Sequence, residues 1–410
     1  MKTKFIALSL LTSLTFGCGS GSETVTGKET PSSQEGEPIT SLSYDITLAE
    51  PEFINAYIDV STSMKGYFSK DTDGRFITAI SNANPNRLMW MDKNFTEIKG
   101  IPTNKLLTGE YRGGDSFFQT MFDRVITRDS LTKSNGISLL FTDGIISASS
   151  NDTKGHPEYT PKTLGMFKNK ITNVLKERKG VAMAILMLNS KFDGYYYDYQ
   201  NKPIKVSIED RPFYIIAIGK PACIRYFMKN NSINATLAEA FGIYDAKIDN
   251  ARGTLFVPTR YADWNGNKFV GQELGLNLQL PEYIAEMGKE YILENMVVEY
   301  NGKDITDILQ KDTINNPIKI NGKSFTINNW KTMDPKLPLI KPGENTLKFI
   351  IKKAKNTSWE YYSSMDDKEI KTNLFEKEKT FALQYLIDGI KNGIEPNELI
   401  IFSSEIKFNK

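Results

Sequence analysis

The chain has 410 residues, with 51 Lys and Arg against 49 Asp and Glu, one His and two Cys. Charge this close to balanced lacks the basic excess that marks a nucleic-acid binder. Two cysteines leave no disulfide framework, and a body of roughly 360 residues is long for one core and points to two domains.

Lys2 and Lys4 precede an apolar run over residues 5–16 that carries a few Ser and Thr. It is too short to span a bilayer and sits where a secretory signal would. The run ends in Leu14-Thr15-Phe16-Gly17-Cys18, a small residue directly before a cysteine. This ending resembles the lipobox of bacterial lipoproteins, with Thr15 standing where an apolar residue is usual. The resemblance implies removal of residues 1–17, lipidation of Cys18, and anchoring in the cell envelope, at the outer membrane with the leaflet undetermined. An ordinary signal peptide followed by an unrelated cysteine is the alternative. A disulfide is disfavoured because Cys223 alone remains as a partner, and its apolar surroundings suit a small buried hydrophobe. Without residues 1–17 the chain keeps 49 basic and 49 acidic residues. Residues 18–45 are rich in Gly, Ser, Thr, Glu and Pro and read as a flexible tether. No second apolar run approaches transmembrane length.

Residues 46–245 alternate short apolar runs with amphipathic stretches. Residues 53–60 (FINAYIDV) form a buried-strand candidate, and Phe76, Ile77 and Ile80 begin a helical spacing. Residues 88–98 suit a hairpin at a sheet edge, turning at Lys93-Asn94. Phe117, Phe118, Met121, Phe122, Val125 and Ile126 fall on one helix face. Residues 137–141 (ISLLF) form a second strand, stopped by Thr142-Asp143-Gly144. A helix is expected over 161–179, with Pro at its start and a stripe of Leu164, Phe167, Ile171, Val174 and Leu175. Strands at 181–188 and 213–218 and a helix at 222–229 complete the set. Strands apolar throughout and separated by helices predict an α/β, mostly parallel sheet covered on both faces.

Over 251–410 the texture changes to short alternating strands with turn signals, at 274–280, 296–300, 346–352 and 399–408. This predicts a β-rich, sandwich-like second domain. One helix at 381–391, with a stripe of Leu383, Tyr385, Leu386 and Ile390, interrupts it.

The chemistry concentrates at Asp59-Val60-Ser61-Thr62-Ser63-Met64-Lys65-Gly66, which reads D-x-S-x-S at a strand end. A turn there aims a carboxylate and two hydroxyls at one point. Oxygen ligands of this kind suit a hard cation such as Mg²⁺. In open α/β sheets ligands sit beyond the carboxyl ends of the strands, and here those ends carry Asp59 and Asp143.

Over residues 50–230 the chain resembles the von Willebrand factor A-type domain with its metal-ion-dependent adhesion site (MIDAS). That family pairs a D-x-S-x-S loop with a Thr from a second loop and an Asp from a third, on a Rossmann-like sheet. The resemblance implies metal ligation by Asp59, Ser61, Ser63 and Asp143. The second loop departs from the pattern: Arg112-Gly113-Gly114-Asp115-Ser116 has Asp115 where Thr is expected. If Ser116 takes the role, two carboxylates leave Mg²⁺ in need of an acidic ligand group. If Asp115 coordinates, three carboxylates more than neutralise the ion and admit Mn²⁺ or Ca²⁺.

The one histidine, His156, lies in a polar loop, and neither a P-loop nor a nucleophile-elbow motif is present. Asp366-Asp367 stand among lysines and read as solvated charges. Tyr195, Tyr196, Tyr197 and Tyr199 are candidate partner contacts, or alternate positions of a surface hairpin. The expected function is a lipid-anchored, metal-dependent protein-interaction module, not an enzyme, whose partner presents an acidic side chain to the metal. The alternatives are a structural envelope lipoprotein using the fold as a metal-independent scaffold, and a metal-dependent hydrolase, which lacks an evident base or nucleophile.

Overall fold

Six apolar segments pair into one sheet in the order β2-β1-β3-β5-β4-β6. They are β1 (Ile54–Ile58), β2 (Arg87–Trp90), β3 (Ile137–Thr142), β4 (Ala182–Tyr197), β5 (Pro203–Gly219) and β6 (Leu237–Phe241). A 3-10 helix (Thr62–Phe68) and α1 (Arg75–Ala83) follow β1, and α2 (Phe118–Arg128), α3 (Pro161–Glu177) and α4 (Pro221–Asn230) complete this half. The computed structural model describes residues 47–69, 73–99, 106, 109, 111, 118–146, 159–198, 200, 202–244, 254–256, 273–311, 318–331, 343–395 and 399–409. The signal run, Cys18 and the tether lie outside them. No helix among the described residues is long and apolar enough to cross a membrane.

The sheet is mixed, which corrects the expectation of a mostly parallel one. β1 runs parallel to β2 and β3, whereas the β3–β5, β4–β5 and β4–β6 pairs are antiparallel. The cause is the short link between Tyr197 and Pro203, where the Asp198 carboxylate accepts from Gln200 N at 2.9 Å and Lys202 N at 2.8 Å. So tight a turn joins only antiparallel neighbours. β5 then inserts between β3 and β4 and is buried from Arg211 to Gly219. Strands covered on both faces are apolar whichever way they run, so composition does not disclose the direction.

The helices cover the sheet through the expected stripes. α2 buries Phe118, Met121, Phe122, Val125 and Ile126, and α3 buries Leu164, Phe167, Ile171 and Leu175. α3 starts where Thr160 and Thr163 exchange hydrogen bonds in a capping box, with Pro161 in the first turn. At the sheet edge, β2 meets its return segment through a single bridge, Met89 to Glu97, and Asp92 closes the turn by accepting from Asn94 N and Thr96 N. Cys223 is buried on α4.

The rest of the chain adds β7 (Thr254–Phe256), β8 (Glu273–Gln279), α5 (Gly288–Asn295), β9 (Met296–Tyr300), β10 (Lys303–Asp304), β11 (Ile318–Asn321), β12 (Ser324–Lys331), β13 (Glu344–Lys352), β14 (Ser363–Ser364), β15 (Thr380–Phe381), α6 (Leu383–Ile394) and β16 (Ile400–Asn409). Two antiparallel four-stranded sheets form, ordered β10-β9-β13-β16 and β11-β12-β8-β7. Val298, Tyr300, Phe325, Ile327, Leu347, Phe349 and Ile351 share one apolar cluster, with the Phe325 and Phe349 rings 4.3 Å apart.

The chain then returns to the first core. Trp359, Ile370, Phe381, Leu383, Leu386, Ile387 and Ile390 pack with the six-stranded sheet and its helices. α6 lies against α3 at close range because Gly389 and Gly393 face it: a Cβ on Gly393 would fall 2.6 Å from Leu175 Cβ. Thr172 Oγ1 donates to Gly389 O across this contact at 3.2 Å. A second tie joins the two cores. Lys353 Nζ, just past β13, donates to Ala240 O at 2.8 Å and to both oxygens of buried Glu395 at 2.9 and 3.0 Å. A helical stripe reports that a face is buried, not what covers it, so this long-range return is not contained in the local pattern.

Candidate functional site

The parallel register of β1 and β3 builds the site. Ile58 stands opposite Phe141, so the residues that leave each strand emerge together. Asp59 N still donates to Phe141 O at 3.0 Å, which holds the first turn against the third loop. From β1 come Asp59, Ser61 and Ser63, and from β3 come Thr142 and Asp143; all five are buried. Ser61 N donates to Asp59 Oδ1 at 2.9 Å, and the Ser61 and Ser63 hydroxyl oxygens lie 3.2 Å apart. Thr142 Oγ1 donates to Asp59 Oδ2 at 2.9 Å and accepts from Gly144 N at 3.2 Å. Asp143 Oδ1 accepts from Ile145 N at 3.1 Å. Gly144 takes a left-handed φ of 74° against the Tyr214 ring, where a Cβ would be both strained and 2.6 Å from ring carbon.

Ser63 lies in the 3-10 helix, and the far part of the β4–β5 hairpin clamps that helix. A Cβ on Gly66 would fall 2.2 Å from Phe192 Cε2, and one on Gly194 would fall 2.6 Å from Gly66 Cα. Tyr67 packs edge-on to Phe192 and Phe213, and its hydroxyl donates to Pro212 O. Two backbones this close hold the serine loop in place without using its side chains.

The electrostatics favour a cation. Burial, and next the neighbouring Asp59 charge, push the Asp143 carboxyl well above the usual carboxylate range; Ser63 and the Ile145 amide offset this in part. Asp143 Oδ2 is buried and has no hydrogen-bond partner among the described residues. An orphaned buried carboxylate oxygen beside a second carboxylate and two hydroxyls fits a divalent ion bound through oxygen. Among the described residues the donors that come together here are two carboxylates and hydroxyls, with no third His, Cys, Asp or Glu beside them.

Of the expected metal-site residues, Asp59, Ser61, Ser63 and Asp143 come together, whereas Asp115 and Ser116 lie outside the described residues, as does the loop histidine His156. Thr142 belongs with the first group as the donor that orients Asp59, a role its place in Thr-Asp-Gly does not disclose. The tyrosine run divides as a hairpin requires. Tyr195 is exposed, Tyr197 is half-buried, Tyr196 is buried, and Tyr199 lies outside the described residues. Tyr196 therefore offers no surface contact. Its hydroxyl donates to Asp367, which is itself buried rather than solvated as expected. Arg211 went unmarked in the sequence although it is the largest buried charge in this region, over the Tyr196 ring at 4.6 Å. A lone Arg before an apolar run carries no periodic signal that would single it out.

Comparisons with protein-family models, with curated proteins and with solved structures found no match.

Proposed function

We propose that this protein is a lipid-anchored envelope protein that binds an acidic partner through a divalent metal held by Asp59, Ser61, Ser63 and Asp143. The observation that carries the reading is the buried, unpartnered Asp143 Oδ2 beside Asp59 and the two serine hydroxyls. Asp59 and Asp143 would hold the ion directly, with Ser61 and Ser63 completing its oxygen set and Thr142 keeping Asp59 aimed. A bound Mg²⁺ neutralises the carboxylate pair and offers an open coordination position to a partner carboxylate. In this reading the first half is a von Willebrand factor A-type domain, the two antiparallel sheets form a sandwich beside it, and Cys18 carries the lipid.

The test is thermal melting of the full chain in detergent. Mg²⁺ or Mn²⁺ at 100 times its Kd stabilises by about 2.7 kcal/mol, so the melt shifts upward by a few degrees. Asp59→Ala abolishes the shift. A melt that ignores both ions refutes the metal reading. Partner capture from an envelope extract that survives chelation supports the second reading, a metal-independent scaffold, which the Thr142–Asp59 hydrogen bond favours because it satisfies that carboxylate from within the chain. Cys18→Ala is expected to release the protein from membranes; unchanged retention removes the anchor.

A further inference from the structure

We propose that Arg211 is a built-in counter-ion of the metal site, holding divalent-ion affinity down while leaving the loaded site positively charged. This rests on the metal reading above and goes beyond it, because the residue lies outside the D-x-S-x-S and Thr-Asp-Gly loops.

Arg211 is almost wholly inside the protein, at 1% exposure. Burying a guanidinium without a compensating negative charge is expensive, so its surroundings should contain that charge. Its Nη1 donates to the Lys377 and Lys379 carbonyl oxygens, and its plane lies over the Tyr196 ring. These are dipoles and a quadrupole, not a carboxylate, and no ion pair of Arg211 occurs among the described residues. Nη2 is buried and, like Asp143 Oδ2, has no hydrogen-bond partner among the described residues.

The fold puts these two orphaned atoms in the same neighbourhood. Tyr214 pairs with Thr142 across β3–β5, and its ring covers Gly144. Arg211 lies three residues earlier on β5, and Tyr67 donates to the carbonyl of the intervening Pro212. The Tyr67 and Tyr214 hydroxyls each feel both charges: the guanidinium favours their ionised forms and Asp143 opposes them. The two tyrosines thus stand within the field of a cation and an anion, each with one buried side-chain atom that has no hydrogen-bond partner among the described residues.

The charge count then sets the behaviour. With Asp59 and Asp143 as the carboxylates on the ion, the pair and Arg211 sum to one negative charge, and a divalent ion turns that into one positive charge. Without Arg211 the loaded set would be neutral and would attract a carboxylate less. The residue that weakens metal binding therefore strengthens the grip on an acidic partner. Its backbone bonds to Lys377 and Lys379 also tie that charge to the segment joining β14 and β15.

Isothermal titration of the full chain with Mg²⁺ and with Mn²⁺ tests this, comparing the native protein with Arg211→Gln and Arg211→Lys. Arg211 acts on Asp143 electrostatically, and at an effective dielectric near 20 loss of one buried positive charge within roughly 10 Å of the ion tightens divalent binding by about tenfold or more. Arg211→Gln is expected to show that gain, and Arg211→Lys to stay within about threefold of the native affinity because it keeps the charge. A structural role alone cannot produce tighter binding. A folded Arg211→Gln variant with equal or weaker affinity overturns the proposal while leaving the metal reading intact. Absence of binding by every form, native included, instead refutes the metal reading and the proposal with it. If Arg211→Gln melts below the titration temperature, Mg²⁺ rescue is measured: a larger rise in melting temperature than in the native protein supports the proposal, and an equal or smaller rise overturns it.

Discussion

Replacing Asp143 with Asn should stabilise the metal-free protein at neutral pH and remove its response to Mg²⁺. Burial, then the Asp59 charge, raise the Asp143 carboxyl from 3.8 to about 7. A carboxyl with a raised pKa binds more protons in the folded than in the unfolded chain. Its contribution to stability therefore falls as pH climbs from 3.8 to about 7, and above that the full loss is present. At 1.36 kcal/mol for each pKa unit that loss is on the order of 4 kcal/mol as an upper value. The amide of Asp143→Asn keeps the acceptor for Ile145 N but brings a donor that needs a partner, which returns about 1–3 kcal/mol. The net gain expected above neutrality is thus roughly 1–3 kcal/mol. The assay is thermal melting in chelator across a pH series. Near pH 4, where the carboxyl is protonated, the variant should melt below the native protein by the cost of its donor, and the curves should cross as pH rises towards 7. Mg²⁺ should then raise only the native curve and narrow the gap. A variant that melts lower than the native protein in chelator at neutral pH, or a gap indifferent to pH, would refute the account of a strained carboxylate pair.

Gly66→Ala places a methyl 2.2 Å from Phe192 Cε2 and should destabilise by about 1–3 kcal/mol. It should also blunt the Mg²⁺ response by shifting Ser63; a native melt with an intact response would show that the hairpin clamp is immaterial. Lys353→Met leaves Glu395 buried beside Glu239 and should destabilise by roughly 3–5 kcal/mol, read by calorimetry. Adding Glu395→Gln should recover part of that loss, and a single variant as stable as the native chain would mean that this tie carries no weight.

Asp59, Ser61 and Ser63 were readable as a cluster because FINAYIDV is apolar enough to be a buried strand and D-x-S-x-S begins where it ends. Asp143 followed from the same rule at the end of ISLLF. The capped start at Thr160-Pro161 and the stripes of α2 and α3 were likewise local properties. Sequence alone thus determined which segments are buried strands or amphipathic helices and which residues leave the strand ends, since periodicity and capping act over a few residues. What the tertiary structure decided was pairing. β5 runs against β3 and inserts between β3 and β4, which brings Tyr214 beside Gly144 and Arg211 into the region of the carboxylate pair. α6 crosses back to α3 through Gly389 and Gly393, and Asp367 is drawn inside to accept from Tyr196. Each of these joins residues far apart in the chain. A stripe or an apolar run encodes the need to be covered, and only the closed packing of the whole chain selects what covers it.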